Sequence, residues 1–139
     1  MPCNYTIDQA ARVVRVACSG TFTNQEMLDC IEHVYSNPAR KPGMAHLIDC
    51  QGVRCMQVTP KGMEAAATIK SALIDPGQPP WAVAMVAPQD EVFWVFRTYE
   101  ALRSGSPEKV RVFRQSSAAE SWLATLRATA PLWLVALCG

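Results

Sequence analysis

The chain of 139 residues contains no apolar run approaching the roughly 20 residues needed to cross a bilayer, so no membrane span is expected. An excess of one charge is missing too. Against 13 Lys and Arg stand 12 Asp and Glu, a net charge of +1, and neither sign forms a block. Nothing here could track a phosphate backbone, which removes nucleic acid from the expected partners. Histidine is scarce, with only His33 and His46. No Gly-x-Ser-x-Gly elbow and no glycine-rich phosphate loop accompanies them, so the parts of a Ser-His-Asp or Cys-His enzyme are not assembled. The nearest approach to metal-ligand spacing is His46, Cys50 and Cys55. A structural zinc site takes four ligands, commonly in tight pairs, and no second pair follows. No metal or cofactor is expected.

What is present suits one α/β domain. Half of the residues are apolar and 18% are charged, an ordinary balance for a chain long enough to bury a core. The opening MPCNYTIDQAARVVRV has no basic region leading into an apolar run, which argues against a signal peptide and predicts a cytoplasmic protein. Cys3, Cys18, Cys30, Cys50, Cys55 and Cys138 then read as reduced, partly buried thiols rather than as a disulfide framework.

Periodicity sets the element order. Residues 4–8 and 12–18 alternate as two strands around a QAA turn, with Val14, Val16 and Cys18 on one face. Thr23 followed by Glu26 is a capping box, and Met27, Cys30, Ile31, Val34 and Tyr35 carry a helix to Asn37-Pro38. MAHLIDC (44–50) and WAVAMVA (81–87) are short, almost wholly apolar runs, as expected of parallel strands covered on both faces. Between them, residues 60–74 place Met63, Ala66, Ala67, Lys70, Leu73 and Ile74 on one side of a second helix. Asp90 reads as the cap of a third helix, KVRVFR (109–114) as a last strand, and Ser117 with Glu120 as the capping box of a last helix. Its stripe is Ala119, Trp122, Leu123 and Leu126. The expected fold is a mixed sheet, an antiparallel N-terminal hairpin followed by parallel strands, with about four helices on it.

Several motifs in this order resemble the SpoIIAA-like branch of the STAS superfamily, small bacterial cytoplasmic proteins. They are GTFTNQEM before the first helix, HLIDCQGV and VTPKGM around the second, AVAMVAPQDEVFWVFRTYEAL, and the closing VRVFRQSSAAESWL. The likeness covers about residues 5–126 and implies a domain over 1–128, with the apolar tail 129–139 outside it. It implies a non-catalytic module that works by protein–protein association, with homodimerisation or another protein as partner.

The same resemblance raises a question about DCQGVRCMQVTP (49–60). In anti-anti-sigma members a strand ends in Asp, a loop follows, and a Ser or Thr at the next helix start is phosphorylated. Asp49 matches the strand end, Gly52-Val53 the loop and Thr59 the acceptor. This chain departs from the pattern by placing Gln57-Val58 before Thr59 and Pro60 after it. A phosphate on Thr59 would meet free amides and a favourable dipole. Thr followed by Pro is equally the signature of an ordinary N-cap with Pro at the first helical position.

EVFWVFRTYEAL holds a second feature, since Val92 to Phe96 are apolar all round the helix where a stripe would serve. Either the helix is buried on two sides or an aromatic projects onto a binding surface, with Arg97 and Tyr99 at its edge. Related folds include the CRAL-TRIO lipid-transfer domains. An alternative expectation is therefore carriage of a small apolar ligand or lipid between this helix and the second one, beside Met56, Met63, Trp94 and Phe96. The tail PLWLVALCG, with Trp133, is expected to strap across the domain or pack against a second subunit.

Overall fold

Strands form where the sequence alternates or runs apolar, and helices where it turns to a 3.6-residue period. The computed structural model describes residues 3–74 and 77–129. The order is β1 (Cys3–Asp8), β2 (Val13–Phe22), α1 (Asn24–Ser36), β3 (Ala45–Met56), α2 (Pro60–Leu73), β4 (Trp81–Val86), α3 (Asp90–Leu102), β5 (Glu108–Phe113) and α4 (Ser116–Thr129). The five strands lie side by side in sequence order. β1 pairs antiparallel with β2, and every later pair is parallel. This is the mixed α/β sheet with four helices that the sequence predicts.

Because the strand order never reverses, right-handed crossovers put α1, α2 and α3 on one face. Their apolar sides meet Val14, Val16, Cys18, Val83 and Met85 in the main core. Among the described residues the opposite face is covered by α4, through Ala119 and Leu123 on Val13, Leu47, Ala84 and Val86. β4 lies between these layers with five of its six residues buried, which explains its unbroken apolar run.

Two strands run further than expected. β2 continues through Ser19 to Phe22, with irregular pairing around Gly20 (φ +67°). β3 continues to Met56, so DCQGVRCM is strand and not loop. This corrects the switch-protein alignment: Asp49 lies within a strand, and Gly52-Val53 pairs with Ser19-Gly20. Backbone pairing outweighs local polarity there. Gly52 suits this close pairing, since a Cβ would stand 3.0 Å from Ser19 Cβ and β2 would have to give by a few tenths of an ångström. β4 pairs only as far as Asp49, and Gln89 Nε2 donates to the Gln51 and Val53 carbonyls left beyond it.

Caps differ in kind. Thr23 and Glu26 form the expected box on α1, with Glu26 N donating to Thr23 Oγ1 at 3.2 Å. The cap position of α3 is Gln89, not Asp90; Asp90 is its first residue, where its carboxylate meets Arg114. Nor does Ser117 cap α4. The helix already starts at Ser116, and Glu120 instead binds Arg15 on β2 at 2.6 Å. The tail, with Trp133 and Cys138, lies outside the described residues. Among those described, no helix is long and apolar enough to cross a membrane.

Candidate functional site

Each helix of a β-α-β unit runs back along its strands. α1, α2 and α3 therefore start together at one end of the sheet and finish together at the other. Between them and the sheet lies a cavity of about 60 Å³. Its walls are mostly apolar and rich in sulfur: Met27, Met63 and Met85 with Cys3, Cys18 and Cys30. Phe22 and Phe96 close it near the helix starts, and Tyr35, His46, Lys70 and Tyr99 close it near the helix ends.

The polar end is built around Glu108, at the start of β5 and only 1% exposed. One carboxylate oxygen accepts from Lys70 Nζ at 2.7 Å and from Tyr35 OH at 3.3 Å. The other accepts from Tyr99 OH at 2.5 Å and Arg103 Nε at 3.0 Å. Burial alone would raise this carboxyl, but Lys70 and the other donors hold it below the usual carboxylate range. Burial works on Lys70 in the opposite sense and is again overcome, chiefly by Glu108, so the ammonium stays well above its ordinary value. Both groups are charged. The rings of Tyr99 and Tyr35 face Lys70 Nζ at 4.7 and 5.5 Å.

His46 sits beside this cluster with its Nε2 accepting from Arg40 Nε at 3.2 Å. Burial, with Arg40 and Lys70 adding to it, holds the imidazole well below its ordinary pKa, so it is neutral. Arg40 lies over the rings of Tyr35 and Trp81. The helix ends favour these cations, because the α2 and α3 carbonyls finish here; Arg103 Nη1 donates to Ala67 O at 3.4 Å.

The thiols are arranged for packing rather than attack. Cys3 and Cys18 face each other across β1 and β2 with their sulfurs 3.2 Å apart. The Cys18 contact, with burial, pushes Cys3 up to about 12. Cys30 is raised too, first by its hydrogen bond to Cys3. For Cys18 the bond to Cys3 lowers the value, while Cys50 and burial more than reverse it. Protonated thiols are poor nucleophiles and poor metal ligands. Among the described residues no group of three or more His, Cys, Asp or Glu is placed to hold a metal ion.

The residues singled out in the sequence separate. Met63, Phe96 and Tyr99 come together on the cavity wall. Met56 packs half-buried against the core without lining the cavity. Trp94 is 61% exposed on the outer side of α3, stacked edge-on against Phe93. Arg97 is exposed and pairs within the helix with Glu100 at 3.7 Å. Asp49 accepts from the Gln51 backbone, a local turn-like contact. Thr59 is the N-cap of α2: its Oγ1 accepts from Gly62 N at 3.0 Å and from Asn24 Nδ2 at 3.1 Å. Sequence reasoning passed over Tyr35, Arg40, Arg103 and Glu108. One signal was available, Lys70 on the apolar side of α2, where a lysine needs a buried partner.

Comparison with protein-family models, with curated proteins and with solved structures finds no match.

Proposed function

We propose that this chain is a non-catalytic binding domain, working in the cytoplasm, that holds a small and largely apolar ligand between its sheet and helices α1 to α3. The cavity beside Phe96 carries this reading. An apolar pocket with a few convergent polar groups is the usual form of a small-molecule site. The resemblance to the SpoIIAA-like branch is compatible with a binding module and leaves the ligand open. The aromatic helix contributes by its inner residues, Val92, Phe96 and Tyr99, which are all buried.

A second reading rests on a different observation. Trp94 is the most exposed large apolar side chain among the described residues, and an exposed aromatic beside Phe93 suits association with another protein or a second copy of the chain. Thr59 takes the part of a helix cap in both readings, since its oxygen already accepts two hydrogen bonds. Phosphorylation there would replace them.

Native mass spectrometry of the gently purified protein, repeated after denaturation, separates these readings. Added mass of a small organic molecule that leaves on denaturation supports the binding domain. A dimer free of any adduct supports association through the outer face of α3. A covalent phosphate on Thr59 would restore the switch.

A further inference from the structure

We propose that the ligand is a short-chain monocarboxylate, its tail among the methionines and its carboxylate at the end formed by Lys70 and His46. The inference rests on the binding-domain reading and adds the chemistry of the head group.

Donors outnumber acceptors at that end. An ammonium has three N–H groups; Lys70 gives one to Glu108 and has the Tyr99 hydroxyl as a second partner, which leaves one N–H for the cavity it lines. With Nε2 accepting from Arg40, the proton of neutral His46 belongs on Nδ1, which has no protein acceptor among the described residues. Both side chains line the cavity and are 3% and 2% exposed. Arg40 and Trp81 stand outside the cavity lining, against Tyr35. Among the described residues Glu108 is the one acidic residue buried as a whole, and it is already held by four donors.

Charge at that end is close to balanced and permits an anion. Lys70, Arg40 and Arg103 are buried cations, and Glu108 is the one buried anion beside them. The ends of α1, α2 and α3 offset about half a charge each, but they do not occupy the donors that face the cavity. A cationic head group would add to the excess, and an alcohol would leave it unchanged. A carboxylate satisfies two donors and takes the remaining positive half charge to about half a charge of the other sign, so the open donors select it. Size sets the tail. At about 10–15 Å³ per water-sized occupant, a cavity of about 60 Å³ takes about four to six heavy atoms before its walls must yield. Acids of about two to four carbons therefore fill it as it stands, and pentanoate, with seven heavy atoms, enters where the flexible methionines of the wall give way.

The test is a titration of the full chain, labelled at its methionine methyls, with pentanoate, pentan-1-ol and pentylammonium. Met27, Met63 and Met85 line the cavity, whereas Met44 is buried elsewhere and serves as the control. The proposal expects pentanoate to shift the three cavity methyls at a concentration at least tenfold below pentan-1-ol, with pentylammonium weakest and Met44 still. Equal or tighter binding of pentan-1-ol would overturn the carboxylate head group and leave the cavity reading standing. If none of the three probes moves the cavity methyls, both fall. Lys70→Met should then abolish the preference for pentanoate while pentan-1-ol still shifts the methyls. The comparison of probes on the unaltered chain decides the matter even if that variant does not fold.

Discussion

The two ends of the helical layer solve the same problem with different chemistry. Where α1 and α2 begin, the free amides are met by short neutral side chains. Thr23 and Thr59 cap, and Asn24 bridges from one helix to the other by accepting from Thr59 N at 3.0 Å and donating to Thr59 Oγ1. These groups lie near water, and each is worth about 1 kcal/mol. Where the helices finish, full charges are buried. Lys70 and Arg103 are 4% and 7% exposed in their side chains, and Glu108 is 0%. There, low polarity makes every contact strong and every missing partner costly. One end is a set of small latches near water. The other is a single coupled unit that also forms the wall of a cavity.

Breaking that unit should give the largest effect. Glu108→Ala leaves Lys70 and Arg103 buried without their anion and Tyr35 and Tyr99 without their acceptor. A loss of about 3–5 kcal/mol in denaturant unfolding is expected. A loss below about 1 kcal/mol would mean that water enters this end and that the cluster is not a buried unit.

Titration should act on the helical layer from both sides. Unfolded His46 takes up a proton below its ordinary 6.5, whereas the folded imidazole stays neutral, so stability falls as pH drops through that value. Glu108, lowered in the fold, continues the loss below 4.5. On the alkaline side the raised groups work in the other direction. Unfolded Cys3, Cys18 and Cys30 lose protons above 9.0, the tyrosines above 10.0 and Lys70 above 10.5, while the folded chain keeps them. Each proton so held changes stability by about 1.4 kcal/mol per pH unit. Chemical denaturation across pH should therefore show a plateau between about 7 and 9 with loss on both flanks. A flat profile up to pH 10.5 would contradict the buried thiols.

At the latch end the expected effects are smaller. Ala is a far better helix former than Gly, yet Gly62→Ala should destabilise, because its Cβ would fall 1.9 Å from Asn24 Oδ1 and push the bridge apart. About 1–3 kcal/mol is expected, as for overpacking. Adding Asn24→Ala should turn Gly62→Ala from harmful to neutral or better. Independent effects in that double-mutant cycle would show that the bridge does not form. Thr59→Ala should cost about 1 kcal/mol, the worth of one cap.

The contrast also governs what could be read in the sequence. Caps are local, so Thr23 with Glu26 and Thr59 with Pro60 were legible from spacing of three residues or fewer. Strand type was legible from WAVAMV, which is buried on both faces. The charged unit was not. Lys70 and Glu108 are 38 positions apart, and Tyr35 and Glu108 are 73 apart; only the sheet register and the direction of three helices bring them together. Asp90 and Ser117 misled because acidic and hydroxyl residues near a helix start suit either the cap or the first turn. Asp90 was drawn to Arg114, and α4 begins one residue before Ser117. Trp94 was left open for another reason, since an all-apolar turn does not reveal which of its aromatics faces out.

That outer face supplies the smallest expected effect and the cleanest division between the two functional readings. Trp94 lies two residues from buried Phe96 on the same helix, yet it belongs to neither end of the layer and contributes little to the core. Trp94→Lys should change unfolding free energy by no more than about 0.5 kcal/mol, as surface substitutions do. It should also leave the shifts of Met27, Met63 and Met85 with pentanoate untouched. If the chain dimerises through α3, the same substitution should convert dimer to monomer in sedimentation. A dimer that persists would move the interface elsewhere. Binding inside the layer and association outside it can therefore be switched off one at a time, because a single helix turn separates the side chains that would serve them.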